Sequence, residues 1–442
     1  MTTGSEVLPA AQAATAPTVR RGTQRRTVAV LMAAQTVGGV GSAVGIAVGA
    51  LLTARMGGTG ISGLGQSALV VGSALLAVPT TRLMTGRGRR PGLVLAYLIG
   101  ALGGVTVVAA AEWNNLALLF VGLFCFGGGS TAGLQARYAA VDLAAPARRG
   151  RQLSLVVWAT AVGSVAGPNV APLVNGWLGH LGVALYAGPF AVSAVAFTLA
   201  AVIVLTALRP DPLLTARALA AAAGPEDRPV EASVPARRPV GASGLRAAAR
   251  EIAAAPGARL GLAAMAVGHL VMIGVMSLTP VHIGEYEHGD TLRVVGLVIS
   301  VHIAGMYGLS PVAGWLTDRI GRRGVIVGGI ALLVAACVVA GASGHGTAGL
   351  AVGLVLLGMG WSATMVSGST LLAESVGLGN RASVQGLSDL VMGLGGASAA
   401  ALAGLIVYWS SYAVLTAVAA LATVPLLAAA LRSVPSPAGG HA

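Results

Sequence analysis

Lysine is missing altogether, and all 27 basic residues of the 442-residue chain are arginine. Charge of either sign is scarce, at 9% of residues, where soluble domains carry roughly 25%. With 55% hydrophobic residues and a mean hydropathy of +0.83, that shortage excludes a soluble globular protein. Cysteine is down to Cys125 and Cys337, which lie in separate apolar runs without metal-ligand spacing, so neither a disulfide nor a zinc site can be argued. No nucleophile elbow, metal-ligand cluster or phosphate loop in a suitable context is present, so no enzyme activity, resident metal or cofactor is expected. A net charge of +13 would suit nucleic acid if it lay on one face. Instead the arginines stand at alternate ends of apolar runs, which is a pattern of membrane topology, and a nucleic-acid partner is not expected.

What is there in quantity is oily sequence. A helix needs about 20 apolar residues to cross a bilayer. Runs of that length fall near 27–54, 61–81, 91–111, 115–137, 152–175 and 184–207, and again near 258–282, 293–316, 324–342, 347–371, 384–408 and 411–431. The chain therefore reads as an all-α integral membrane protein of 12 transmembrane helices. A six-helix bundle occupies 27–208, a linker 209–257 and a second six-helix bundle 258–432. Residues 1–26 read as a disordered cytoplasmic tail, and 433–442 as a C-terminal tail. The apolar run after residue 26 is too long for the h-region of a cleavable signal. The linker is rich in proline, alanine and arginine and reads as flexible. It holds one short amphipathic helix, Leu245–Ala255, expected along the inner membrane surface. With the N-terminus inside, only Arg55 and Arg293 fall outside, which leaves 27 − 2 = 25 arginines on the cytoplasmic side. The lipid bilayer is thus the chain's solvent. Both termini are expected in the cytoplasm, the location is the inner membrane, and a monomer is expected.

The halves repeat. A shift of 233 residues places Gly88-Arg89-Arg90 on Gly321-Arg322-Arg323, and a shift of 230 places Arg151 and Gly163 on Arg381 and Gly393. The most distinctive stretch is Gly314-Trp315-Leu316-Thr317-Asp318-Arg319-Ile320-Gly321-Arg322-Arg323, an island of charge between two apolar runs. Glycine permits its tight turn, and its three arginines hold the turn on the inner side. The pattern G-x-L-x-D-R-x-G-R-R resembles the loop signature of the major facilitator superfamily, found there between spans two and three and again between spans eight and nine. The resemblance implies two pseudo-symmetric six-helix bundles with substrate bound near the midplane at the repeat interface. In the first half the pattern is degraded, because Thr81 and Thr85 stand where that family has Gly and Asp. Asp142-x6-Arg149 and Glu374-x6-Arg381 resemble the family's acid–arginine pairs. The resemblance then implies that Asp318 joins these groups in an inner gate that forms in one transporter state and opens in the other. In span five, Gly163 and Gly167-Pro168 resemble the G-x-x-x-G-P core of proton-driven antiporters, although Ala171 and Pro172 replace the Gly-Gly pair that follows in that signature. Close helix packing explains the same residues equally well.

Ionisable groups inside spans are costly and so are functional candidates. Asp389 lies eight residues past Arg381 in span eleven, where desolvation favours taking up a proton. Arg137, at the inner end of span four, either corresponds to a family arginine that assists proton transfer or snorkels to the interface. Gln35 and Gln135 could bond substrate or bond between helices. His269 and His282 bracket span seven and His302 lies in span eight. Met272 and Met276 share a helix face with His269, and Met306 shares one with His302. A proton relay, soft-metal handling and plain structural packing all remain open for these faces.

Taken with the resemblance, the expectation is a secondary transporter exporting a moderately hydrophobic small organic molecule in exchange for protons. The alternatives are a facilitator or importer of a metabolite or metal complex, and a membrane sensor that transports nothing.

Overall fold

Hydrocarbon offers the backbone no hydrogen-bond partners, so a chain this apolar must satisfy its amides within each segment. The computed structural model does so with sixteen α-helices among the described residues. It describes residues 7–140, 142–144, 149–222, 242–287, 289–376 and 381–432, and no strand occurs among them. The first six helices are α1 (Val7–Gly57), α2 (Thr59–Arg87), α3 (Arg89–Glu112), α4 (Leu116–Ala139), α5 (Arg149–Gly179) and α6 (Gly188–Ala207). Two short helices follow, α7 (Pro212–Ala222) and α8 (Ala242–Ala254). The remainder are α9 (Pro256–Tyr286), α10 (Thr291–Gly308), α11 (Ser310–Arg319), α12 (Arg322–Ala342), α13 (Thr347–Glu374), α14 (Arg381–Trp409), α15 (Tyr412–Leu421) and α16 (Val424–Leu431).

Eleven stretches of the described residues are long and apolar enough to cross a membrane. Three of them, Gly188–Leu219, Thr291–Arg319 and Tyr412–Leu431, are broken helices, with Pro212, Pro311 and Pro425 in the first turns after the breaks. Proline lacks the N–H that a helix interior requires but is tolerated in a first turn. The 31-residue α5, with Pro168 and Pro172 inside it, includes side chains outside the described set and is not one of the eleven. Helix α1 already begins at Val7, within the stretch expected to be a disordered tail, where alanine-rich sequence favours helix. Residues 1–6 and 433–442 lie outside the described residues.

The linker differs from expectation in two ways. It has a second helix, α7, and α8 buries Ala248 and Ile252 in an apolar cluster with Ala258, Met265, Leu372, Val376, Val384 and Met392. An amphipathic helix buries its apolar stripe wherever a matching surface exists, and here that surface belongs to the protein.

Contacts divide the molecule into two units, Met1–Gly45 with Gly72–Val234, and Ile46–Val71 with Pro235–Ala442. In the first unit Tyr97, Phe126, Phe190 and Phe197 are wholly buried and meet ring to ring, with centroids 5.2–6.2 Å apart. In the second, Leu260 and Ala264 of α9, Ile326 and Ile330 of α12, and Leu426 and Ala430 of α16 form one cluster. The end of α2 that belongs to this unit is tied to α14 by Ser67 Oγ donating to the Ala397 carbonyl at 2.6 Å.

Helix α5 meets α1 through small residues. A Cβ on Gly163 would collide with the Thr36 carbonyl oxygen, and one on Gly167 would lie 2.7 Å from the Val40 oxygen. Thr36 Oγ1 in turn donates to the Ala159 carbonyl. Contact this close requires glycine, because the obstructing atoms are backbone and cannot rotate away. Gly163→Ala should destabilise the first unit by about 1–3 kcal/mol, the usual cost of overpacking. Thermal unfolding in detergent checks this, with Gly167→Ala expected to lose less.

Candidate functional site

Two charged clusters sit where α3 and α12 begin. Each helix starts after a glycine in a backbone conformation that is essentially closed to other residues. Gly88 has φ 96° and ψ 174°, and Gly321 has φ 85° and ψ 156°. The next residue in each case is an arginine that forks onto a carboxylate at the end of another helix or just past it. Arg89 Nε and Nη2 donate to Asp142 Oδ2 and Oδ1 at 2.8 and 3.0 Å. Arg322 Nε and Nη2 donate to Glu374 Oε2 and Oε1 at 3.0 and 2.7 Å. Two parallel bonds of this kind suit the planar guanidinium and no other side chain.

The clusters differ in depth. The side chains of Arg89 and Asp142 are only 16% and 11% exposed, whereas those of Arg322 and Glu374 are 30% and 49% exposed. Burial raises the Asp142 carboxyl above the ordinary carboxylate range, and the hydrogen bond and charge of Arg89 oppose that rise without cancelling it. Asp318, the acidic residue of the loop motif, is 78% exposed and reaches Arg322 only at 3.6 Å. Arg319 lies over the Trp315 ring at 5.1 Å, and Arg323 Nη1 donates to the Arg432 carbonyl at 3.2 Å. Around Gly314, within α11, a Cβ would meet nothing within 4 Å.

Inside the spans, Gln35 is the centre of a polar network. Gln35 is 2% exposed. Its Oε1 accepts from Tyr97 Oη at 2.6 Å, while Nε2 donates to Thr160 Oγ1 at 2.9 Å and to the Gly133 carbonyl at 3.2 Å. One amide thus joins α1, α3, α4 and α5, and of its two open roles the structure fills the interhelical one. Gln135 is half-buried in the last turns of α4, and Arg137 Nε donates at 3.4 Å to the Leu134 carbonyl of its own helix.

In the second unit His269 of α9 accepts through Nδ1 from Trp361 Nε1 of α13 at 3.2 Å, and Tyr307 of α10 meets the same indole edge-on. The Nε2 edge of His269 faces α14 at Gly396, where a Cβ would lie 3.2 Å away. His302 is wholly buried with Nδ1 2.7 Å from the Leu354 carbonyl. A carbonyl only accepts, so Nδ1 carries the proton, and Nε2 is left buried without a hydrogen-bond partner. Met272, Met276 and Met306 are buried, as core fillers are. His282 stacks on Tyr412 with ring centroids 4.4 Å apart. Asp389 is exposed on α14. No three of His, Cys, Asp and Glu gather at metal-binding distance among the described residues.

A family model described as Major Facilitator Superfamily matches residues 58–291 and again 285–442. The chain belongs to the Major Facilitator Superfamily. It is 37% identical over 413 residues to the uncharacterised MFS-type transporter YdeG of Bacillus subtilis, covering 93% of this chain and 92% of that protein. It is 26% identical over 433 residues to the riboflavin transporter RfnT of Brucella anthropi, covering 95% and 98%. Among solved structures, the nucleoside transporter NupG superposes with a TM-score of 0.67 at 14% identity, covering 92% of this chain and 98% of that one. The E. coli fucose:proton symporter FucP superposes at 0.55 and 17%, covering 91% and 97%. These two likenesses are of fold. The protein is accordingly a multi-pass membrane transporter of a small molecule, and not an enzyme.

Among the described residues of this transporter, the acids of the two acid–arginine motifs fork with arginines distant in sequence. Asp142 pairs with Arg89 and Glu374 with Arg322, each about 50 residues away in sequence. Arg149 and Arg381 are the first residues of α5 and α14, and their side chains lie outside the described residues. Sequence reasoning also missed Asp211, Tyr97 and Trp361. Asp211 carried a readable signal, an aspartate directly before Pro212, which is a helix-start pattern.

Removing one partner of a buried pair leaves a stranded charge, whereas an exposed pair is rescued by water. Asp142→Ala should therefore cost about 3 kcal/mol or more, and Glu374→Ala distinctly less, in thermal unfolding at neutral pH. The raised Asp142 carboxyl also sets a sign. The folded chain holds that proton at a pH where the unfolded chain has released it, so the stability Asp142 contributes falls as pH rises through that window. Asp142→Asn should flatten this part of the pH profile of the unfolding temperature.

Proposed function

We propose that this transporter is a proton-coupled exporter of a moderately hydrophobic small organic molecule. It works by alternating access in the inner membrane, with both termini and the arginine-rich loops in the cytoplasm. The observation that carries the proton is Asp389, the single charged residue in the span Gly386–Trp409. Ionisable side chains within spanning helices are rare and mark function, and Asp389 is the fourth residue of this one. Gly396, where the His269 ring touches α14, lies seven residues further on, about two turns along one helix face. Two titratable groups therefore address the same helix. Export is supported by the likeness of Gly163 and Gly167-Pro168 to the antiporter signature, and the apolar character of the cargo by the scarcity of charge in every span. Asp142–Arg89 and the group of Asp318, Arg322 and Glu374 serve as the loop gates.

A second reading, transport of a metabolite, is favoured by the full-length similarity to a riboflavin transporter.

Everted membrane vesicles separate the two. With an acid interior, export predicts accumulation of a hydrophobic fluorescent dye coupled to proton release. Asp389→Asn should lower that flux about tenfold and remove its pH dependence, with dye binding retained. Riboflavin uptake into right-side-out vesicles without dye export, or an unaltered pH profile in Asp389→Asn, would overturn the exporter.

A further inference from the structure

The first unit lacks the acidic residue that the loop motif supplies in the second, since Thr85 stands 233 residues before Asp318. A carboxylate nevertheless reaches that loop from elsewhere in the chain. Asp211 lies just past α6, and its Oδ2 accepts the backbone N–H of Arg90 at 2.8 Å. Its Oδ1 accepts from the backbone N–H groups of Leu213 and Leu214 at 3.0 and 3.2 Å. One carboxylate thus caps the N-termini of two helices, α3 and α7, where the free N–H groups and the helix dipoles both favour negative charge.

Gly88, the residue before α3, has no side chain to cap that helix, and a Cβ there would fall 2.5 Å from the Asp211 carboxylate. The same cluster holds Asp142, which feels the charges of Arg89, Asp211 and Arg217 of α7 together. Among the described residues the second unit has no counterpart. The start of α12 has no side-chain cap, and a Cβ on Gly321 would meet nothing within 4 Å.

We propose that Asp211 replaces the missing loop acid, as a positioning residue that fastens the linker helix α7 to the start of α3. The linker is then a working part of the first unit's loop cluster rather than a passive tether. This deepens the gating reading given above and rests on it for its transport consequence, though not for the fastening itself.

Hydrogen–deuterium exchange on the full chain in detergent tests the fastening. The Arg90 amide is among the first four of α3, which have no acceptor within the helix, so its protection depends on Asp211. Asp211→Ala should speed exchange in peptides covering 88–92 about tenfold, in line with loss of a hydrogen bond to a charged group. Peptides covering 321–325 should not change. Asp211→Asn keeps a carbonyl oxygen without the charge; it should fall between and serves if the alanine variant does not fold. Unchanged exchange at 88–92 in either folded variant overturns the proposal. In dye-transporting vesicles Asp211→Ala should lower the maximal rate severalfold with half-saturation unmoved, and an effect confined to half-saturation would overturn the positioning role. Wild-type vesicles that move neither dye nor riboflavin would defeat the transport reading, and the exchange comparison would still decide the fastening.

Discussion

Hydrocarbon cannot solvate a charge or an unpaired amide, and the arrangement of polar groups in this transporter follows from that one fact. Backbone amides are taken up by helices. Many hydroxyls in the spans bond a carbonyl of their own helix, as Thr53 does that of Gly49, and Gln35 is bound across helices by Tyr97, Thr160 and Gly133. Each such bond is worth only about 1 kcal/mol net, but leaving the amide unpaired would cost more than that. The network is therefore better understood as a specification of which helices meet than as a source of stability. It fixes α1, α3, α4 and α5 at the level where Gly163 lets α5 reach the α1 backbone.

Charge is driven to the helix ends, and there the two units solve one problem at different depths. Both fork an arginine onto a carboxylate directly after a glycine whose backbone conformation only glycine holds with ease. In the first unit the pair is largely buried and neighbours Asp211 and Arg217; in the second it is half exposed, with Asp318 at its rim. Interaction strength rises as water is excluded, and so does the penalty for breaking the pair. The first cluster is accordingly the firmer of the two, and the second costs less to break.

How much of this was legible in the sequence depends on the range of the signal. The spans were readable because hydropathy is a local sum, and the breaks at Pro311 and Pro425 follow from a missing N–H. The glycines of the repeated Gly-Arg-Arg were readable for the same reason, since the turn is local. The partners of Asp142 and Glu374 were not. A six-residue spacing to an arginine is visible in the chain, whereas the guanidinium described on each carboxylate opens a helix about 50 residues away. Gln35 shows the same limit, because its donors and acceptors come from three other helices. Asp211 lies between these cases: its role at the start of α7 is written in Asp-Pro, but its bond to Arg90 spans 121 residues.

The repeat itself sharpens the point about Asp211. Across the 233-residue shift Gly88-Arg89-Arg90 agrees with Gly321-Arg322-Arg323, while the acid Asp318, like Gly314 and Arg319, has no counterpart in kind. Glycine is demanded by backbone geometry and arginine by the bidentate fork, and neither has a substitute of equal shape. A carboxylate has no such restriction, since any aspartate or glutamate that reaches the start of the helix satisfies the dipole and the free N–H groups equally well. The acid is thus the element that can be supplied from another segment without disturbing the turn. A short helix opening on Asp-Pro beside that turn is a physically sufficient source.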